Sequence, residues 1–126
     1  LATIARCRLP VKIVLLDNAS LGMVRQWQEL FFAERYSEID LSDNPDFAAL
    51  VQVFGIPATR ITQRAQVEDA LAAMLDTPGP ALLHVSIDAR ANVWPLVPPN
   101  NANSTMLDSN PAHAKAVQES SNAIPA

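Results

Sequence analysis

Cysteine is nearly missing from this chain of 126 residues: Cys7 stands alone. A single thiol closes no internal disulfide, which fits a reducing compartment and an expected cytoplasmic location. With no histidine near it in sequence, Cys7 reads as inert packing rather than as a nucleophile. Apolar runs of membrane-spanning length are absent too, and no basic-then-apolar leader opens the chain, so neither a membrane span nor a signal peptide is expected. Positive charge is scarce. Nine Lys and Arg face 13 Asp and Glu, a formal net charge of −4, which argues against nucleic acid and anionic membranes as partners. An initiator methionine is also missing: the chain opens at Leu1, with Leu1, Ile4 and Ala5 on one helical face. It reads as a piece of something longer.

What is present is a globular profile, 49% hydrophobic and 17% charged, in a length that makes one domain at most and can bury a core. The chain is organised around residues 11–27. Val11 to Leu16 is β-branched and aliphatic with almost no alternation, the pattern of a strand buried on both faces. Small polar residues follow, Asp17-Asn18-Ala19-Ser20, then Gly22. Apolar positions then recur at Met23, Val24, Trp27, Leu30 and Phe31, a spacing that fits one helix face. Strand, polar turn and helix meet where open α/β sheets bind ligands, beyond the carboxyl end of a strand. The first turn of the helix aims free N–H groups at that spot, where an anion such as a phosphate can sit. On spacing alone, a plain packing role for this unit is the competing reading.

The remaining elements read in order. Residues 1–9 are the end of a helix stopped by Pro10, and a strand covers Lys12–Leu16. Gly22 to about Ala33 is a helix. Asn44-Pro45 marks the next one, with Asn44 as N-cap and Pro45 at the first helical position. Phe47, Leu50, Val51 and Phe54 form its core face, and Gly55 caps its end. Ala58–Thr62 is a strand. Val67, Ala70, Leu71, Met74 and Leu75 mark a helix stopped by Pro78-Gly79-Pro80, and Ala81–Ile87 is a third strand. Its histidine, His84, reads as a hydrogen-bonded structural residue. Strands separated by helices imply α/β architecture, a partial doubly wound parallel sheet with right-handed crossovers. No internal repeat is visible. Val93-Trp94-Pro95-Leu96-Val97-Pro98-Pro99 cannot be helix or central strand and reads as an arm across a groove. From Asn100 to Ala126 large apolar groups are few, so disorder is expected, with at most a transient helix at 112–119.

The segment Asp17-Asn18-Ala19-Ser20-Leu21-Gly22-Met23-Val24-Arg25-Gln26-Trp27-Gln28 resembles the thiamine diphosphate and metal-binding segment of acetolactate synthase catalytic subunits. The likeness continues through Leu30-Phe31-Phe32-Ala33-Glu34-Arg35-Tyr36, Asp43-Asn44-Pro45-Asp46-Phe47 and the 93–99 arm, over roughly residues 1 to 107. It implies that residues 1–99 are the C-terminal portion of a thiamine diphosphate-binding domain, followed by a 100–126 tail, and that the arm lies over the active-site mouth.

It also implies that Asn18, through its side-chain carbonyl, and Ser20, through its main-chain carbonyl, bind the Mg2+ that holds the diphosphate, a hard ion suited to oxygen donors. Asp17, where relatives often carry asparagine, orients the turn. Gly22 allows the cofactor close approach, and Met23 packs near its rings. Trp27, one turn further on, narrows a substrate and inhibitor channel, with a core aromatic as the alternative. Val24 and Phe31 are further candidates for that channel.

The implied reaction decarboxylates pyruvate and condenses the remainder with a second 2-oxo acid, pyruvate or 2-oxobutyrate, toward valine, leucine and isoleucine. FAD, a homodimer with the site at its interface, and a small regulatory subunit belong to the same picture. A Gly-Asp-Gly loop carrying the other metal ligand, and the activating glutamate, are expected outside this chain, so the chain alone is expected to be inactive. The alternatives are another thiamine diphosphate-dependent decarboxylase or carboligase, or a non-catalytic dimerisation remnant.

Overall fold

The computed structural model describes residues 1–111, and the short helix expected at 112–119 lies outside the described residues. The chain divides into two compact units, Leu1–Ala91 and Asn92–Ala126. No helix among the described residues is long and apolar enough to cross a membrane.

The first unit holds α1 (Ala2–Cys7), β1 (Lys12–Asp17), α2 (Gly22–Phe31), α3 (Phe47–Gln52), β2 (Ala58–Ile61), α4 (Val67–Asp76) and β3 (Ala81–Ser86). The three strands form one parallel sheet in the order β1-β3-β2, the partial doubly wound α/β arrangement expected. Residues of β3 pair with both neighbours: His84 lies beside Leu15 of β1 and Arg60 of β2. Side chains alternate between the two faces. Leu82 sits on one face with Val51 of α3, Ile56, Ile4 and Ala5 of α1, and Ile13. Ala81 and Leu83 sit on the other, under Met74, Val67, Ala70 and Leu71 of α4. Two apolar clusters, one per face, hold the sheet. Leu83 and Ile56 are 1% exposed, and side chains of this size stabilise a fold by roughly 1.5–3 kcal/mol each when fully buried.

Several expectations are corrected. Only the central strand β3 is buried on both faces; β1 is at an edge, with Val14 47% and Leu16 63% exposed. Helix α1 stops at Cys7, before Pro10 can act. Arg8 takes left-handed backbone (φ 48) there, and Leu9 N–H donates to Ile4 O at 3.1 Å. Cys7 is exposed, not packed. Helix α3 is capped by Asp46, not Asn44: the Asp46 carboxylate accepts the Ala49 N–H at 3.0 Å. The later start leaves a six-residue helix, too short to put four positions on the sheet. Ala48 and Val51 are buried, whereas Leu50 and Phe54 stay exposed. Gly55 does take the left-handed backbone expected of it (φ 72).

Helix α2 buries the side that carries Arg25 and Gln26, while Met23, Val24, Trp27 and Phe31 remain between 36% and 48% exposed. Its stripe of apolar residues is real, but it does not face the sheet. The helix ends at Phe31 because Ala33 and Glu34 both take left-handed backbone.

In the second unit, Leu96 and Leu107 form an antiparallel bridge with N–H···O distances of 2.8 and 2.7 Å. A 3₁₀ turn covers Asn103–Thr105. Part of the stretch expected to be disordered from residue 100 is therefore hydrogen-bonded, because Leu107 pairs back onto Leu96.

Candidate functional site

The turn from β1 into α2 is tied down on every side. Asp17 ends the edge strand beside Ser86. One of its carboxylate oxygens accepts the Ala19 N–H at 2.9 Å, and the other accepts from His84 Nε2 at 2.9 Å. These two bonds, the Ala19 N–H foremost, hold the Asp17 carboxyl below the usual carboxylate range against the opposing effect of burial. An ionised carboxylate only accepts, so the proton between them sits on Nε2. Ala19 has left-handed backbone (φ 49), which costs an L-residue about 1–2 kcal/mol; the Asp17 bond offsets part of that strain.

Asn18 Oδ1 accepts the Ser20 N–H at 3.2 Å. Ser20 in turn lies opposite Asp40 in an isolated antiparallel bridge. The bonds flanking that pair run from Leu21 N–H to Ile39 O (2.9 Å) and from Leu41 N–H to Ala19 O (3.0 Å). Ser20 Oγ also donates to Ile39 O at 3.1 Å. Where neighbouring residues make the ladder bonds, the central residue's own N–H and C=O point away from the partner strand. The Ser20 carbonyl is therefore turned to the side where Asn18 Oδ1 already meets its N–H. Two carbonyl oxygens end up on one side of the turn.

Gly22 starts α2 and packs against Asn18. A Cβ at Gly22 would lie 2.6 Å from Asn18 Nδ2, closer than real contacts allow, so only glycine leaves the amide where it is. The helix has no side-chain cap at its N-terminus, which leaves the donors of its first turn open to an oxygen ligand.

Beyond the turn, α2 borders a cleft of about 660 Å³ lined by Met23, Val24, Trp27, Gln28, Phe32 and Arg35, within the size range of small-molecule sites. Its Met23, Val24 and Trp27 are three of the residues singled out from the sequence. Trp27 is 36% exposed and belongs to neither apolar cluster of the sheet. Phe31 does not line the cleft; it stacks edge-to-face on Trp27 at 6.1 Å and supports the ring from the side. Gln28, Phe32 and Arg35 were missed. Gln28 was findable, since it follows Val24 by four positions, one helical turn. It also shapes the cleft wall: its amide accepts the Ser37 N–H at 3.0 Å and donates to Ser37 O at 3.1 Å. Phe32 and Arg35 come from the left-handed turn after the helix, which no periodicity reveals. Among the described residues no three His, Cys, Asp or Glu side chains cluster as metal ligands would.

Residues 1–85 match the family described as thiamine pyrophosphate enzyme, C-terminal TPP binding domain. The chain belongs to that family. This TPP-binding domain is 63% identical over 108 residues to the acetolactate synthase isozyme 2 large subunit of Escherichia coli, an alignment covering 86% of the chain and 20% of that subunit. It is 43% identical to the acetolactate synthase large subunit of Pyropia yezoensis, covering 85% of the chain and 18% of the relative. It is 44% identical to that of Parasynechococcus marenigrum, with the same two shares. The resemblance read over roughly residues 1 to 107 thus holds over most of the chain. The domain spans about a fifth of the length of the curated relatives it matches.

Proposed function

We propose that this domain is the cofactor-holding end of an acetolactate synthase large subunit. The observation that carries the reading is the 63% identity over 108 residues with one such subunit. The residues of the turn fit the group the family implies. Asn18 and Ser20 offer two carbonyl oxygens on one side, a hard, neutral donor set of the kind Mg2+ takes when it is shared with substrate phosphates. Gly22 gives the Asn18 amide the room it needs, and the uncapped start of α2 offers N–H groups to a diphosphate oxygen. On this reading Asn18 and Ser20 hold the metal, Gly22 and Met23 lie against thiamine diphosphate, and Met23, Val24 and Trp27 border the substrate. Phe31 braces Trp27 rather than meeting substrate.

When bound, thiamine diphosphate supplies the carbanion chemistry that decarboxylates a 2-oxo acid. The chain's own residues bind and orient. The Asn18 turn fixes the diphosphate, and the apolar wall of α2 excludes water from the side where the second 2-oxo acid, pyruvate or 2-oxobutyrate, must enter. The remaining metal ligand, the activating glutamate and the FAD site belong, in this proposal, to other parts of a longer polypeptide that assembles as a homodimer with a small regulatory subunit.

The test is Asn18→Leu in the full-length enzyme, an exchange of similar size that removes the side-chain oxygen. Binding of Mg2+ with thiamine diphosphate, followed by calorimetry, is expected to weaken at least tenfold, on the scale seen when a metal site is disturbed, and acetolactate formation to fall with it. Unchanged cofactor binding and turnover would overturn the proposal.

A further inference from the structure

His84 is a polar side chain in an apolar place. It is 2% exposed on the central strand, and the ring of Phe47 meets it edge-on at 5.6 Å. Its Nδ1 is buried with no hydrogen-bond partner among the described residues. A buried nitrogen left unpaired is a cost, and an aliphatic or phenyl side chain at this position would avoid it. The ring's other nitrogen makes one bond, to Asp17 Oδ2 at 2.9 Å. Whatever keeps an imidazole here acts through that bond.

Asp17 is where the edge strand hands over to the turn. The sheet ladder ends there with Ile87 N–H donating to Asp17 O at 2.9 Å. From that point one carboxylate oxygen is anchored to the rigid centre of the sheet through His84, and the other holds the N–H of strained Ala19 at 2.9 Å. Asn18 sits between these two fixed points. Its side-chain oxygen can face a ligand only while the peptide on either side keeps its pitch.

We propose that His84 is a positioning residue for the Mg2+–diphosphate site, acting through Asp17 to hold the turn that presents Asn18 and the Ser20 carbonyl. The inference rests on the function proposed above and deepens it. It assigns His84 no contact with cofactor or substrate. Outer-shell partners of this kind orient the groups that bind, and their loss costs affinity more than fold.

The test compares full-length enzymes carrying His84→Leu and His84→Gln, measuring the dissociation constant for Mg2+ with thiamine diphosphate by calorimetry and the melting temperature of the cofactor-free protein. His84→Leu is expected to raise the dissociation constant about tenfold or more, with the deficit in activity shrinking as Mg2+ is raised, whereas His84→Gln, whose terminal amide can still donate to Asp17, stays within about threefold of the parent. The proposal is overturned if His84→Leu binds as the parent does, or if His84→Gln is weakened as much as His84→Leu. Should His84→Leu fail to fold, His84→Phe decides. It keeps a planar ring against Phe47 but offers Asp17 no donor, and is expected to weaken binding about tenfold; parental affinity overturns the proposal. Asn18→Leu run alongside separates the two ideas. If it binds normally the functional reading itself fails; if it alone loses the cofactor, only the role of His84 does.

Discussion

At the scale of single residues, the proposed site turns on one missing methyl group. Gly22 begins α2 with ordinary helical backbone, so alanine is tolerated by the chain itself and gains up to about 1 kcal/mol of helix propensity. The added Cβ would nevertheless fall 2.6 Å from Asn18 Nδ2. The amide is the far end of a rotatable side chain and swings away at small cost to the fold, but in doing so it carries Oδ1 off its mark. Gly22→Ala in the full-length enzyme is therefore expected to melt at or above the parental temperature while binding Mg2+ with thiamine diphosphate about tenfold more weakly. Calorimetry and thermal unfolding on one preparation check both halves. Equal affinity would show that the close contact does not set the position of Asn18. Asn18, Ser20 and Gly22 could be picked from the sequence because they fall within one short segment, at a strand-to-helix switch, that resembles the cofactor-binding segment of a known family. The His84–Asp17 bond could not, since it joins residues 67 apart and requires knowing that β1 and β3 are neighbours in register.

At the scale of elements, period and punctuation located all three strands and the helices, but misjudged how β1 and α3 are buried. The 23, 24, 27, 30, 31 spacing identified α2 as amphipathic, yet nothing local says whether an apolar stripe meets a sheet or a cleft; the exposed Trp27 and the buried Gln26 answer that only in three dimensions. In α3 the observed N-cap, Asp46, lies two residues beyond the expected Asn44, and its carboxylate reaches the Ala49 N–H at 3.0 Å. That bond also holds the Asp46 carboxyl below its ordinary range, so the cap is strongest when ionised. The sign follows: a carboxyl whose pKa is lowered by folding adds stability above the unfolded value, near pH 4, and loses it as pH falls through the folded value. Asp46→Ala is expected to melt a few degrees below the parent at pH 7, and the gap should narrow steadily below about pH 4. A gap of constant size across that range would mean that the charge adds nothing to the cap.

At the scale of the whole molecule, apolar surface is left open among the described residues in two places that bear on assembly. One is the α2 cleft. The other is the face of β1 carrying Val14 and Leu16, 47% and 63% exposed. They stand on an edge strand, beyond the reach of the α4 cluster that covers Leu83 beside them. An exposed apolar edge strand pairs or aggregates unless something covers it. In the proposed enzyme the cover is the remainder of the polypeptide, since this domain spans only 20% of the E. coli subunit it resembles. Taken alone, the 126-residue chain should therefore self-associate at micromolar concentrations. The paired substitution Val14→Thr and Leu16→Lys should return it to a monomer in sedimentation experiments, because a charge on an edge strand blocks pairing. The same pair placed in the full-length enzyme should lower its soluble yield, because a lysine would then be buried without a partner. A chain that is already monomeric before substitution, or a full-length enzyme indifferent to Leu16→Lys, would mean that this face of β1 has no covering partner.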